Sequence, residues 1–210
     1  MGAVRLPALP ALPALPALLA LLALGIALSG PAHAQPAAGQ FLVAARGLAD
    51  PNFARTVVLL VQHGEEGSWG LVINRPTEVP LSRLFPEERA LKSEASPLFA
   101  GGPVSPGRFL LLLRAPRKPL DSLPVFADVF LGWGPAALED RVSAFRMYSG
   151  YAGWAAGQLE AELARGDWRL LPAEAPLVFD EHPERVWEAL IRLLEAPVAA
   201  GQAVVAEVHT

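Results

Sequence analysis

The chain has 210 residues, with 17 Lys and Arg against 21 Asp and Glu for a net charge of −4, and is 52% hydrophobic, enough to bury the core of a single domain. It has no cysteine, which excludes disulfides, thiolate metal sites, a cysteine nucleophile and a lipoprotein anchor. The acidic balance lacks the electrostatic footprint of duplex DNA binding, so direct, specific DNA binding is not expected.

Residues 1–34 differ in composition from the rest. Arg5 is their only charge, an Ala-Leu-Pro triplet repeats, and Ala17 to Leu28 is an unbroken apolar run. Twelve helical residues rise about 18 Å, short of the roughly 30 Å of a bilayer core, so a spanning anchor is disfavoured. Ser29, Gly30 and Pro31 break the run, and Ala32-His33-Ala34 before Gln35 has the small-x-small pattern of a signal-peptidase site. The expectation is a signal peptide over 1–34, export to the periplasm or medium, and no stable membrane anchor after cleavage. The alternative is a misassigned start codon and a cytoplasmic protein, since the prolines at 7, 10, 13 and 16 and the single Arg make a poor n-region.

From Gln40 the pattern is β. Phe41 to Ala45 predicts a short strand, and Asp50-Pro51-Asn52 has turn chemistry. Val57 to Val61 is apolar without alternation, as in a strand buried on both faces, and Phe109 to Leu113 repeats the signal. Residues 63–68, between the first of these runs and Trp69 to Ile73, read as a hairpin loop. A short surface helix is expected over Pro86 to Lys92, and Pro97 to Ala100 leads into the pair Gly101-Gly102. Val125 to Leu131 predicts a single strand, Gly132 to Pro135 a turn, Pro135 to Asp140 a helical turn, and Ser143 to Tyr148 a strand.

Gly150 and Gly153 bracket Tyr151 and Ala152 and predict a tight corner. A helix follows from Ala156 to Arg165, with Leu159 and Leu163 on one face and Gly166 at its stop. Trp168 to Leu171 and Leu177 to Phe179 read as short strands. The last helix starts near Pro183 and carries Val186, Trp187, Leu190, Ile191 and Leu194 in one stripe. Residues 196–210 read as a tail or an extra edge strand.

The runs FLVA (Phe41 to Ala44), DPNFARTVVLLVQH (Asp50 to His63), GLVINRP (Gly70 to Pro76), GGPV (Gly101 to Val104), and GYAGW followed by GQLEAEL and Trp168, in that order, resemble the YqgE/AlgH family of small bacterial proteins. The resemblance implies one α+β domain over 35–195 with a mostly antiparallel, curled or partly barrel-like sheet flanked by a few helices. It implies no settled biochemical activity. Members are sometimes called transcriptional regulators, usually lack an N-terminal extension and look cytosolic.

Candidate site residues fall in four places. His63 sits at a hairpin mouth without the HxH or HExxH spacing of a metal site, and reads either as a strand-end His bonded to its loop or as a functional imidazole. Asn74-Arg75-Pro76 closes a strand, with Arg75 presenting a fork for an anion or simply ending the strand at the surface. Gly101, Gly102 and Pro103 form either an anion-binding nest or a tight bend, without the residues of a nucleotide motif. Tyr151, Gly153, Trp154, Gln158 and Glu162 either line a small pocket, or Trp154 is core while Gln158 and Glu162 satisfy nearby backbone. His182 is expected near a helix start and His209 in the tail. Serines lack a GxSxG setting, and no triad assembles from the sequence. No metal or cofactor is expected. Two functions remain: a non-enzymatic interaction or indirect regulatory module with a protein or small-molecule partner, or a small-ligand-binding or hydrolytic domain with its pocket near Arg75, Gly101–Val104 and Gly150–Glu162.

Overall fold

A computed structural model describes residues 35–88, 91, 96–133, 135–138 and 141–196. The expected export segment and most of the 196–210 tail lie outside them. Among the described residues ten strands form one curled, mostly antiparallel sheet. They are β1 (Gln40–Ala44), β2 (Val57–Gly64), β3 (Gly67–Val72), β4 (Pro76–Pro80), β5 (Pro97–Ala100), β6 (Val104–Arg114), β7 (Ser122–Phe126), β8 (Val129–Gly132), β9 (Ala144–Trp154) and β10 (Trp168–Pro172). Their order is β10-β1-β2-β3-β9-β6-β8-β7, with β4 on β5 and β5 parallel to β9. The described helices are α1 (Leu81–Leu84), α2 (Gln158–Arg165), α3 (Ala175–Val178) and α4 (Pro183–Glu195), with a 3-10 turn at Pro135–Leu138. Among the described residues no helix is long and apolar enough to cross a membrane.

The unalternating apolar runs mark strands buried on both faces. Val57 to Leu60 are fully buried. In β6, Leu110 and Leu112 enter one cluster and Leu111 and Leu113 another, because successive strand residues point to opposite faces. The larger cluster lies under α4, whose Val186, Trp187, Leu190 and Ile191 bury the predicted stripe. The smaller gathers Leu81 of α1, Leu98, Phe130, Ala137 and Met147. The sheet curls far enough for its β7 edge to meet the approach to β1: a Cβ placed on Gly39 would lie 2.7 Å from that of Phe126.

β9 is the strand on which the sheet turns. Its first part pairs with β6 and β5, and its last three residues pair with β3. The expected corner at Gly150–Gly153 is therefore a kink within a strand that runs on to Trp154. Gly150 takes φ +71° there and Gly153 has no positive φ.

Three other expectations are corrected. The strand expected over Val125 to Leu131 is a hairpin, β7 and β8, turning at Ala127 and Asp128, where Ala127 adopts φ +42° and Asp128 accepts a 2.8 Å bond from Arg114 Nε. The strand expected over Leu177 to Phe179 is the helical turn α3, started by Pro176 in its first positions. Around the surface helix expected at 86–92, the helical turn is earlier, at α1, and Pro86 and Glu87 form a turn.

Candidate functional site

The two glycine motifs meet through their backbones. Gly101 donates to Ser149 O and accepts from Val72 N, both at 2.9 Å, while Ala100 donates to Arg75 O at 2.9 Å. A Cβ on Gly102, which has φ +151°, would lie 2.2 Å from the carbonyl carbon of Tyr151, and one on Gly150 would lie 2.5 Å from Gly102 O. Only glycine permits such an approach. The Gly101–Val104 run is thus the bend joining β5 to β6 against the β9 kink, with Pro103 exposed on it.

Asn74 and Arg75 turn their side chains away from that bend, towards residues 51–57. Asn74, buried, accepts from Val57 N at 2.8 Å and donates to Arg55 O at 3.0 Å. Arg75 donates to the carbonyls of Asn52 at 2.6 Å, Pro51 at 3.1 Å and Ala54 at 3.2 Å. Burial lowers its pKa from the ordinary value, opposed by Asp50. Its fork therefore organises the 51–54 turn instead of presenting itself to an anion.

That turn carries Phe53 into an aromatic cluster. Phe53 stacks on Trp154 at 6.0 Å and meets Trp168 edge-on at 5.7 Å, and the two indoles meet edge-on at 5.9 Å. Both indole N–H groups donate at 2.8 Å to one oxygen of Glu162. Gln158 donates to the other Glu162 oxygen at 2.9 Å and accepts from Ala155 N at 3.0 Å. Gln158 thus does satisfy backbone, but Glu162 serves three side chains, Trp154, Trp168 and Gln158. The helix that aims both polar groups ends where Asp167 N bonds Glu162 O and Gly166 N bonds Leu163 O, the paired bonds of a Schellman stop.

On the other side of Trp154 the surface opens into a cleft of about 590 Å³. Its walls include Trp69, Tyr151, Val104 and Leu110, with Glu66 and Arg108 exposed among them. Trp69 meets Tyr151 edge-on at 5.8 Å and donates to Gln62 Oε1 at 3.2 Å. Leu123 and Trp133, also lining it, are 47% and 41% exposed. Of the predicted residues, Tyr151, Gly153 and Trp154 line this cleft, whereas Arg75, the Gly101–Pro103 bend, Gln158 and Glu162 do not.

His63 joins the β2–β3 hairpin to α2. Its Nδ1 lies 2.8 Å from Oγ of Ser68, its cross-strand partner, and its Nε2 lies 3.5 Å from Oε1 of Glu160. Ser68 is 6% exposed and contributes backbone, not its hydroxyl, to the cleft. The structure thereby aligns a serine, a histidine and a carboxylate where the sequence assembles no triad. Its signal was the hairpin itself, since closing it at Gly64 and Gly67 pairs residue 63 with 68. His182 makes no side-chain cap; its backbone N–H bonds Asp180 Oδ1 at 2.7 Å and its Nδ1 lies 3.7 Å from Glu184. His209 lies outside the described residues.

The fold and cleft define a small α+β domain built on one curled antiparallel sheet. The family model described as AlgH-like matches residues 41–199, and the chain belongs to that family. A UPF0301 protein of Streptomyces coelicolor is 40% identical over 174 residues, covering 79% of this chain and 90% of its own. One of Methylococcus capsulatus is 38% identical over 176 residues, covering 76% and 92%. The solution structure of the AlgH protein from Pseudomonas aeruginosa superposes with a TM-score of 0.63 at 30% identity, covering 81% of this chain and 96% of that one. A crystal structure of a Corynebacterium diphtheriae protein gives 0.68 at 25% identity, covering 81% and 92%.

Proposed function

We propose that the domain is a binding module whose site is the aromatic-walled cleft, and that its ligand is a small molecule with an apolar or aromatic body and an anionic end. The observation that carries this reading is the cleft itself. Concave apolar walls with a few polar groups are the usual form of a small-molecule site, and here Trp69, Tyr151 and Leu110 supply the walls while Arg108 supplies a cation. Glu66 at the same cleft disfavours a ligand with two anionic ends. Any regulatory role then runs through the ligand or a protein partner, in keeping with the acidic charge.

Phenylbutyrate, which has the required ring and carboxylate, is a suitable probe. Titrated into isotopically labelled protein, it should shift the amides of residues 66–69, 108–110 and 151–154, and Trp69→Ala and Arg108→Ala should each weaken binding. Absent shifts, or shifts confined elsewhere, would overturn the reading. Native mass spectrometry of protein from its own host then looks for the natural ligand as retained mass.

Export is proposed on the apolar run Ala17 to Leu28 and the Ala32-His33-Ala34 pattern. N-terminal sequencing should begin at Gln35; an intact chain recovered from the cytosol would sink this.

A further inference from the structure

We propose that the loop after β6 and the segment before β9 form a second binding site, a basic pocket that takes a compact phosphate-type anion, best matched by a diphosphate group. It is independent of the aromatic-walled cleft, with which it shares no lining residue. The pocket, of about 670 Å³, is lined by Pro116, Arg117, Lys118 and Arg141. Three of these four residues are cations, in a chain whose net charge is −4.

Two features separate this cluster from an ordinary solvated face. The first is that its charges are uncommitted. Arg114, at the end of β6, is already paired with Asp128 at 2.8 Å, whereas among the described residues Arg117, Lys118 and Arg141 meet no carboxylate within ion-pair distance. Like charges gathered without a counter-charge raise the local potential and favour an anion. The second is that both walls are held by backbone. Pro116 and Pro119 fix φ on either side of Arg117 and Lys118, and the buried Pro119 accepts a 2.6 Å bond from the buried Ser122 hydroxyl. Across the pocket, Ser143 gives Arg114 O both its N–H at 2.8 Å and its hydroxyl at 3.0 Å. These bonds tie the segment carrying Arg141 to the strand end that leads into Pro116.

The side-chain types select the ligand. Two guanidinium forks can each take two oxygens of a phosphate, and the Lys118 ammonium adds a point charge. Three positive charges match a diphosphate better than a single carboxylate, and the volume admits the diphosphate together with a small molecule that bears it. Asp121 follows Lys118 by three residues, and Glu139 and Asp140 precede Arg141 in the chain. The basic run is therefore bounded by acidic residues, unlike the extended stripe that a nucleic-acid backbone would follow.

The test titrates inorganic pyrophosphate into the isotopically labelled full chain in metal-free buffer. Amides of residues 117–118 and 141–143 should shift and saturate at one ligand per chain. Arg117→Gln and Arg141→Gln should each weaken binding by about tenfold or more, the scale of one lost charge-assisted bond. Both side chains are exposed, so the variants should keep the parent's melting temperature, and a loss of binding is then not a loss of fold. Arg108→Gln, in the cleft, should bind pyrophosphate as the parent does. Sodium sulfate at equal ionic strength should give smaller shifts that do not saturate. Adenosine diphosphate separates the sources: tighter binding than pyrophosphate places the diphosphate on a nucleoside, and equal or weaker binding makes the free anion the ligand. Pyrophosphate shifts no different from those of sulfate, or Arg117→Gln and Arg141→Gln proteins that bind as the parent does, overturn the proposal. So does a short DNA duplex that displaces pyrophosphate from these residues at physiological salt. Phenylbutyrate binding is read separately at the cleft amides, so either site can fail while the other stands.

Discussion

The carboxylate of Glu162 accepts the indole N–H of Trp154 at 2.8 Å, and the same oxygen accepts that of Trp168. One acidic side chain on α2 thus satisfies two buried donors, each of which would otherwise lose its water without replacement. Removing either partner has a different consequence. Trp154→Ala deletes a ring that is 5% exposed and should lower stability by about 3 to 5 kcal/mol. Glu162→Ala leaves two indoles unpaired and should cost about 1 to 3 kcal/mol, whereas Gln158→Ala, at an exposed position, should cost less. Chemical denaturation of the three variants measures this order; a Trp154→Ala protein as stable as the parent would refute the core role of its ring.

Arg75 is predicted to behave as a structural residue. Its guanidinium joins three carbonyls of the 51–54 turn, geometry that a lysine ammonium, with no planar fork, does not reproduce. Arg75→Lys should therefore lose about 1 to 3 kcal/mol of stability and displace Phe53 from the indoles, changing tryptophan emission. Phenylbutyrate affinity should be unchanged, because Arg75 does not line the cleft. Weakened binding in a fully stable Arg75→Lys protein would return this residue to the site.

The contrast between these residues marks what the sequence makes legible. Val57 to Val61 and Phe109 to Leu113 announce two-sided burial because continuous apolarity is a local property, and the stripe of α4 is legible for the same reason. The Ala127–Asp128 turn was hidden because it uses positive φ without glycine. Leu177 to Phe179 was ambiguous because a short apolar run suits a strand or a helical turn equally. For the site, the residue types around Gly150 stood out, but their partners did not. The carbonyls that occupy Arg75, the second indole on Glu162 and the cleft between Trp69 and Tyr151 all depend on strands brought together across the sheet. The local pattern identifies an unusual backbone without saying what it touches.

Gly102 should tolerate no side chain. Its φ of +151° and the 2.2 Å separation between an added Cβ and the Tyr151 carbonyl carbon set backbone against backbone, which no rotamer change relieves. Gly102→Ala should move β6 off β9 and cost more than the roughly 1 kcal/mol of an ordinary substitution. Gly107→Ala is the control, since nothing stands within 4 Å of its added Cβ. Equal thermal stability of the two variants would show that the bend relaxes freely.

Tyr148 gives a pH-dependent prediction. It is fully buried, and among the described residues no group meets its hydroxyl in hydrogen-bonding geometry. The neighbouring Arg146 gives its N–H groups to Val178 O at 2.5 Å and to Asp180 O. Burial pushes the phenol pKa well above its ordinary value, with the charge of Arg146 opposing the shift only in part. A raised pKa in the folded state means the neutral phenol is favoured there. Its contribution to stability is complete below the unfolded value, about pH 10, and declines as the pH rises above it, because only the unfolded chain then releases the proton. The phenolate absorbance of Tyr148 should therefore appear together with cooperative alkaline unfolding. Tyr148→Phe removes that proton linkage, so its unfolding midpoint should lie at higher pH. At neutral pH the variant should match the parent or exceed it by up to about 1 kcal/mol, since the hydroxyl it loses is buried and meets no described group in hydrogen-bonding geometry. A loss of more than about 1 kcal/mol at neutral pH would show instead that the hydroxyl makes a stabilising bond, either to Arg146 or to a buried water.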